Sequence, residues 1–163
     1  MLEPLKQFYC DECGQVILRP EDGYVEWISI YDKEKEKFIS RGFRIVHHPS
    51  TSPYKANREG CYKYGDTNGR MDIALNSFLE NVNVELMSFL DPGFLHNSSR
   101  KDLTGIIDFP EFADFSRRLT VPYYEEARLY FDQISSDEDF NDRIERSLYS
   151  EKTLKRIIDK YSK

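Results

Sequence analysis

The pattern of apolar and polar residues changes at about residue 70. Between residues 14 and 48, β-branched and aromatic residues come in short runs separated by turn-forming residues, which predicts β-strands. Residues 23–31 and 38–46 are two such runs. The six charged residues between them predict a solvated turn, so the pair is expected to form a β-hairpin. The segment Pro49–Gly69 is dense in Pro, Ser, Asn and Gly, so we expect an irregular structure that needs an anchor.

After Met71 the apolar residues recur at helical spacing. Their stripe over residues 75–90 predicts a helix that ends at the turn signal of residues 91–93. Asp108, followed by Pro110 and Glu111, has the pattern of a capped helix start. The predicted helix buries Phe112, Phe115 and Leu119. Three more helices are predicted, with the apolar stripes Tyr123, Ala127, Tyr130, Phe131 and Ile134, then Phe140, Ile144 and Leu148, then Leu154, Ile157, Ile158 and Tyr161.

This order of elements predicts an α+β fold. A small β-hairpin module over residues 1–70 is followed by a helical bundle over residues 71–163. A 39% hydrophobic and 14% aromatic content is higher than in disordered chains, so both parts are expected to fold. The start of the chain has no signal-peptide pattern, and no apolar run approaches the roughly 20 residues that cross a bilayer. We therefore expect a cytoplasmic protein without membrane contact.

Charge limits the kinds of partner. The formal net charge of -6 comes from 23 Lys and Arg against 29 Asp and Glu, which argues against a general attraction to nucleic acid. Residues 71–97 contain four acidic residues and neither Lys nor Arg. One interpretation of this stretch is a solvated helix face, and the other is a docking surface for a basic partner.

The three cysteines point to a metal. An odd number of cysteines without an export signal does not fit a disulfide framework. Cys10 and Cys13 form a CxxC knuckle followed directly by Gly14, and this spacing lets two thiolates hold one zinc ion above a tight turn. Cys61, in the irregular segment, is a third candidate ligand. The alternative is that the cysteines are small buried hydrophobic residues.

The fourth candidate ligand is a histidine at the end of the second predicted strand. Strand alternation puts Phe43, Ile45 and His47 on one face, so His47 is the predicted ligand and His48 is the alternate. With this set, residues 8–61 resemble zinc-ribbon-like domains, in which one ligand pair precedes a hairpin and a second pair follows it. Here the second pair is a histidine and Cys61, separated by 12 or 13 residues, in place of another CxxC. Four protein ligands close the coordination shell, so the zinc is predicted to be structural.

A second resemblance lies in the helical part. Around the predicted turn, Ser116 is small where two helices approach closely, and Leu119 and Val121 flank the turn. Residues 112–131 resemble the helix-turn-helix of bacterial DNA-binding proteins. The resemblance implies that the helix from Pro122 lies in the major groove. It also implies DNA contacts from Arg117, Arg118, Tyr123, Tyr124 and Arg128. Thr120 stands where glycine is usual, and Glu125 and Glu126 place negative charge on the reading helix.

Sequence motifs of enzymes are absent. The chain contains no GxGxxG, GxxxxGK or HExxH pattern and no nucleophile elbow, so no catalytic residue is predicted. A remote alternative is a His-Asn-His-type nuclease that uses His47, His48 and Asn57, with His96 as the remaining histidine.

The sequence predicts a non-catalytic, zinc-binding recognition protein that acts through protein-protein interaction. Regulation is one form that this function could take. A helix-turn-helix DNA-binding transcriptional regulator is the alternative. The sequence specifies no oligomeric state.

Overall fold

The computed structural model describes residues 1–34, 37–54, 59–65, 67–90, 105–106, 108–141 and 145–162. These residues form a mixed α+β fold with two small sheets. The strands are β1 (Phe8–Tyr9), β2 (Val16–Ile17), β3 (Gly23–Asp32), β4 (Lys37–His47), β5 (Arg70–Ala74) and β6 (Gly105–Ile106). The helices are α1 (Leu75–Glu80), α2 (Val82–Leu90), α3 (Phe109–Thr120), α4 (Tyr124–Ala127), α5 (Phe131–Ile134), α6 (Glu138–Asn141), α7 (Glu145–Leu148) and α8 (Glu151–Tyr161). Short 3-10 turns lie at Pro20–Asp22 and Arg128–Tyr130.

The larger sheet confirms the predicted β-hairpin. Its strand order is β5-β3-β4-β6, with β3 antiparallel to both β4 and β5, and with β6 parallel to β4. Gly23 pairs with His47 at the open end of the hairpin, and Asp32 pairs with Lys37 near its turn. The helical spacing after Met71 does not predict β5, which leads directly into α1. The smaller sheet consists of β1 and β2.

A β-bulge sets which residues of β4 face the core. Glu26 pairs with Arg44 and Ile28 pairs with Arg41, so β4 has one more residue than β3 across this step. Gly42 has a φ of 70°, the left-handed conformation that glycine adopts without steric cost. The bulge falls at Gly42 and Phe43, opposite Trp27, and the pairing is regular from Arg44 to His47, so the predicted alternation toward His47 is preserved.

The helices over residues 75–90 and 109–120 lie where they were expected. The first is divided into α1 and α2, because Asn81 leaves the helical conformation with φ -129° and ψ 34°. In α3, a side-chain oxygen of Asp108 accepts a hydrogen bond from the backbone N–H of Glu111 at 2.9 Å, as the capping pattern predicts. The turn signal of residues 91–93 and Ile144 lie outside the described residues.

The structure contradicts the predicted long helix from Pro122. Tyr123 has a φ of 67°, which lies outside the range of right-handed helices. The helix α4 therefore begins only at Tyr124, and it has four residues. The 3-10 turn Arg128–Tyr130 and α5 follow it. The final predicted helix is confirmed as α8, in which Leu154, Ile157 and Ile158 are fully buried.

Two clusters of buried apolar residues hold these elements together. In the first, Phe43 lies among Phe89, Phe112 and Phe115, with ring centroids 4.9, 5.4 and 5.0 Å away. This cluster extends from Phe8 to Leu119 and so joins residues on both sides of position 70. The second lies within residues 121–161 and centres on α4 and α8. The division of the chain into domains near residue 70 stays a prediction.

Among the described residues, none of the helices has the combination of length and apolar content that crossing a membrane requires.

Candidate metal centre

The first part of the centre is the turn between β1 and β2. Within it, the backbone N–H of Cys10 donates to the carbonyl of Gln15, and that of Gly14 donates to the carbonyl of Cys10, both at 2.9 Å. Gly14 has a φ of 71°, and no atom lies within 4 Å of the position that a Cβ would take. The backbone conformation, and not crowding, therefore requires glycine here. The turn brings the sulfur atoms of Cys10 and Cys13 within 4.8 Å of each other.

Two other segments complete the cluster. His47 is the last residue of β4, and Cys61 lies in the irregular segment that follows. The ligand atoms of Cys10, Cys13, His47 and Cys61 all lie within 4.8 Å of one another. The Nδ1 atom of His47 is 3.4 Å from the sulfur of Cys13 and 4.0 Å from that of Cys61. Cys10, His47 and Cys61 are buried, whereas Cys13 is partly exposed.

This arrangement is compatible with a metal ion. A tetrahedral zinc ion with Zn–S bonds of about 2.3 Å and a Zn–N bond of about 2.0 Å places a sulfur and a nitrogen ligand atom roughly 3.5 Å apart. The two sulfur-to-nitrogen distances of 3.4 and 4.0 Å lie on either side of that value. Thiolates together with imidazole are also the donors that zinc and other thiophilic metals prefer.

The surroundings of His47 suit a metal ligand. Its ring is hydrogen-bonded to the backbone of Val16, as the rings of ligating histidines commonly are to a backbone carbonyl. Burial lowers the pKa of His47, which favours the neutral imidazole that binds metals. His48 lies outside the cluster: its Nδ1 contacts the Ser50 hydroxyl, and its ring centroid is 5.1 Å from that of Tyr24. The structure therefore places His47, and not the alternate His48, with the cysteines.

Ser52 is a neighbour of the cluster that the sequence pattern does not indicate. Its hydroxyl oxygen is 3.0 Å from the sulfur of Cys61, and it accepts a hydrogen bond from the backbone N–H of Tyr54 at 3.1 Å. The hydroxyl proton is thus free to point at the sulfur. Burial raises the pKa of the Cys61 thiol to about 12 and also raises that of Cys13. A metal bound here therefore displaces protons from these thiols.

The two residues between the cysteines of the knuckle attach it to the rest of the fold. The backbone N–H of Asp11 donates to the carbonyl of Ile45 at 2.9 Å. A carboxylate oxygen of Asp11 accepts from the backbone N–H of Ile45 at 2.7 Å and from the guanidinium of Arg118 at 2.8 Å. Glu12 forms an ion pair with Arg44. The knuckle is therefore fixed to both β4 and α3.

Arg118 is the centre of a largely buried network of charges. Its guanidinium donates to Glu125 at 2.7 and 3.1 Å, and its side chain is only 4% exposed. Glu125 also accepts the backbone N–H of Tyr9 at 2.9 Å. Glu126 accepts the backbone N–H of Leu2. The two acidic residues of α4 therefore hold the N-terminal segment, which explains why negative charge occurs on a predicted reading helix.

The other predicted DNA contacts also have partners within the chain. The hydroxyl of Tyr124 donates to Asp114 at 2.7 Å, and Arg128 forms ion pairs with Glu125 and Asp11. The remaining two predicted DNA contacts, Arg117 and Tyr123, form cation-π contacts. The guanidinium of Arg117 is 4.4 Å from the ring centroid of Tyr149, and the ammonium of Lys155 is 4.5 Å from that of Tyr123.

The nuclease alternative requires Asn57 and His96 in addition to His47 and His48. Asn57 and His96 lie outside the described residues. His47 lies in the cysteine cluster.

No family model matches the chain, and no curated protein or solved structure shows significant similarity to it.

Proposed function

We propose that the chain is a non-catalytic recognition protein whose N-terminal part is held in shape by a structural zinc ion. The observation that supports this most directly is the cluster of Cys10, Cys13, His47 and Cys61. Four protein side chains fill a tetrahedral shell and leave no position for water or substrate, which is the arrangement of structural zinc sites.

The position of the cluster explains what the zinc would stabilise. Its ligands come from the β1–β2 turn, the end of β4 and the irregular segment before β5. That segment has neither helix nor strand in its described residues, so a bond from Cys61 to a shared metal ion would anchor it. Closing such a loop is entropically tolerable because the cost grows slowly with loop length.

Recognition of a protein is favoured over recognition of DNA by the contacts of the predicted reading residues. A DNA-binding face needs arginines that are free to reach phosphates and base edges. Arg118 is instead buried between Asp11 and Glu125, and α4 has four residues. The chain's excess of negative charge adds to this preference.

Two measurements test the proposal. Metal removal tests the structural role. A structural zinc ion contributes to the folding free energy, so its removal by a strong chelator lowers the stability of the protein. We expect the melting temperature of the stripped protein to fall and to return when one equivalent of zinc is added. A chelated protein that melts like the untreated one contradicts the structural role.

Polarisation assays with mixed-sequence duplex DNA test the choice of partner. We expect no binding at low or at moderate salt. Binding at low salt that weakens steeply as salt is added is the signature of phosphate contacts, and it would favour the DNA-binding regulator instead.

A further inference from the structure

The four residues of the metal cluster differ in how far solvent reaches them. Cys10, His47 and Cys61 are 2%, 6% and 0% exposed, whereas Cys13 is partly exposed. Cys10 and Cys61 belong to the first apolar cluster, and Cys13 packs against its border. A reagent in solution therefore meets the cluster first at Cys13.

The turn that carries Cys10 and Cys13 is held by contacts other than the metal. The backbone N–H of Gly14 donates to the carbonyl of Cys10 at 2.9 Å, and Asp11 is hydrogen-bonded to Ile45 through both its backbone and its carboxylate. Two cysteines separated by two residues in a turn are also the spacing that disulfide oxidoreductases use. The sulfur atoms of Cys10 and Cys13 lie within 4.8 Å of each other, so this turn presents a pair of thiols that can become a disulfide.

Cys61 is a poorer partner for Cys13 than Cys10 is. The sulfur of Cys61 is 3.0 Å from the hydroxyl of Ser52, whose oxygen accepts the backbone N–H of Tyr54 and whose proton can point at the sulfur. A hydrogen bond donated to a thiolate stabilises its charge, and a more stable thiolate is a weaker nucleophile. An attack on an oxidised Cys13 is therefore expected from Cys10.

We propose that hydrogen peroxide oxidises the cluster at Cys13, joins Cys13 to Cys10 in a disulfide and releases the zinc ion. The inference rests on the proposed structural zinc and adds an oxidative modification to the same site. It makes the anchoring of the irregular segment at Cys61 dependent on oxidants.

The reaction needs no reactant besides peroxide and water. The thiolate of Cys13 attacks one peroxide oxygen, so that an S–O bond forms, the O–O bond breaks and hydroxide leaves. The thiolate of Cys10 then attacks the sulfur of Cys13, an S–S bond replaces the S–O bond, and a second hydroxide leaves. The two sulfurs lose two electrons to the two peroxide oxygens, and protons from the solvent convert both hydroxides to water. The zinc keeps only His47 and Cys61 as protein ligands and dissociates as Zn²⁺ without a change of oxidation state.

The structural effect is expected to be local. The backbone N–H of Lys63 donates to the buried Glu26 at 3.1 Å, and the hydroxyl of Tyr64 donates to the carbonyl of Gly42 at 3.0 Å. Neither contact involves the cluster. Zinc release therefore frees the part of the irregular segment around Cys61, while Lys63 and Tyr64 stay on the sheet.

The test follows zinc and thiols in the full-length, zinc-loaded chain during exposure to hydrogen peroxide. A colorimetric chelator reports released zinc, and the remaining thiols are alkylated before tryptic digestion and mass spectrometry. Cys10 and Cys13 lie on one tryptic peptide and Cys61 on another, because Arg58 and Lys63 border Cys61. We expect one disulfide within the first peptide for each zinc ion released, and Cys61 as a free thiol. Dithiothreitol together with zinc is expected to restore the starting state.

A limiting amount of N-ethylmaleimide tests where a reagent first meets the cluster. In the zinc-loaded chain we expect Cys13 to be alkylated at least about tenfold faster than Cys10 or Cys61, because thiolate reactivity follows exposure. The alkylated position is identified on the same tryptic peptides.

Ser52→Ala and Ser50→Ala form a matched pair of variants. Ser52→Ala removes the hydroxyl beside the sulfur of Cys61, and it is expected to increase the share of peptides cross-linked between Cys13 and Cys61. Ser50→Ala removes a hydroxyl that contacts His48 outside the cluster, and it is expected to leave the products unchanged. Zinc content and thermal melting, measured before oxidation, verify that each variant is loaded and folded.

Four results would overturn the proposal. They are retention of zinc in peroxide that oxidises the thiols of the chelator-stripped chain, a cross-link from Cys13 to Cys61 as the main product of the original chain, equal products from Ser52→Ala and the original chain, and equal alkylation rates of the three cysteines. A purified chain without zinc at the start rejects the structural zinc and this inference with it. Zinc that is present and stays bound in peroxide rejects this inference alone.

Discussion

The charge network around Arg118 gives the sharpest prediction about how the fold is held together. Replacing Arg118 by Met leaves Asp11 and Glu125 without their closest cation, at distances of 2.8 and 2.7 Å in the original chain. Removing one partner of a buried ion pair typically costs about 3–5 kcal/mol. Arg128 remains 3.1 Å from Glu125 and 3.6 Å from Asp11, so part of the charge stays compensated. We therefore expect the lower end of that range, about 3 kcal/mol.

For a chain of this length, a loss of about 3 kcal/mol corresponds to a fall of roughly 6–12 °C in melting temperature. Calorimetry or circular dichroism of zinc-loaded protein measures it. Arg117→Met is the matched control, because that guanidinium lies over the ring of Tyr149 at 4.4 Å in a partly exposed position. Loss of this cation-π contact costs about 0.5–1 kcal/mol.

The two arginines are neighbours in sequence, but they are expected to differ in effect several-fold. If Arg118 were instead a surface residue held ready for DNA, its replacement would change the stability by no more than about 0.5 kcal/mol. A melting temperature of Arg118→Met within error of the original chain would refute the buried network.

Four further substitutions test local features. Ser52→Ala removes the hydroxyl 3.0 Å from the sulfur of Cys61, and we expect a fall of about tenfold in zinc affinity, measured by chelator competition. Gly14→Ala and Gly42→Ala both place alanine at a φ near 70°, which costs about 1–2 kcal/mol in each case. At Gly42 the new Cβ also lies 2.3 Å from the hydroxyl of Tyr64, which donates to the Gly42 carbonyl, so urea denaturation is expected to show about 1 kcal/mol of additional loss there. Equal losses at the two glycines would contradict this contact. Asp108→Ala removes the cap of α3 and is expected to lower stability by about 1 kcal/mol in the same assay. An unchanged midpoint would show that the cap contributes nothing.

The parts of the fold that sequence reasoning predicts well depend on local signals. The β3–β4 hairpin follows from two β-branched runs around a charged turn, and α3 follows from Asp108 three residues before Glu111. The choice of His47 over His48 depends only on the alternation of side chains along β4, and no bulge intervenes after Phe43. These features need information from only a few neighbouring residues.

The parts that sequence reasoning misses depend on distant contacts or on unusual backbone. Tyr123 has a φ of 67° although it is not glycine, and nothing in the apolar spacing predicts that break. Asp11 and Arg118 meet although 107 positions separate them, and a helix-turn-helix pattern alone places Arg118 on the surface. Glu125 and Glu126 were the available signal, because acidic residues at a supposed DNA-reading position need another role. Ser52 has no pattern that would link it to Cys61.

The zinc content of the purified protein decides whether the four-residue cluster is a structural metal site. The chain is expressed without added metal, and zinc per chain is determined by elemental analysis. We predict one equivalent in the original protein and in His48→Ala, whose histidine lies outside the cluster. We predict a loss of bound zinc, together with a lower melting temperature, in Cys13→Ser and His47→Ala, since each lacks one of the four ligands. Less than about half an equivalent of zinc in the original chain, with melting equal to that of Cys13→Ser, would contradict a structural zinc ion at this cluster.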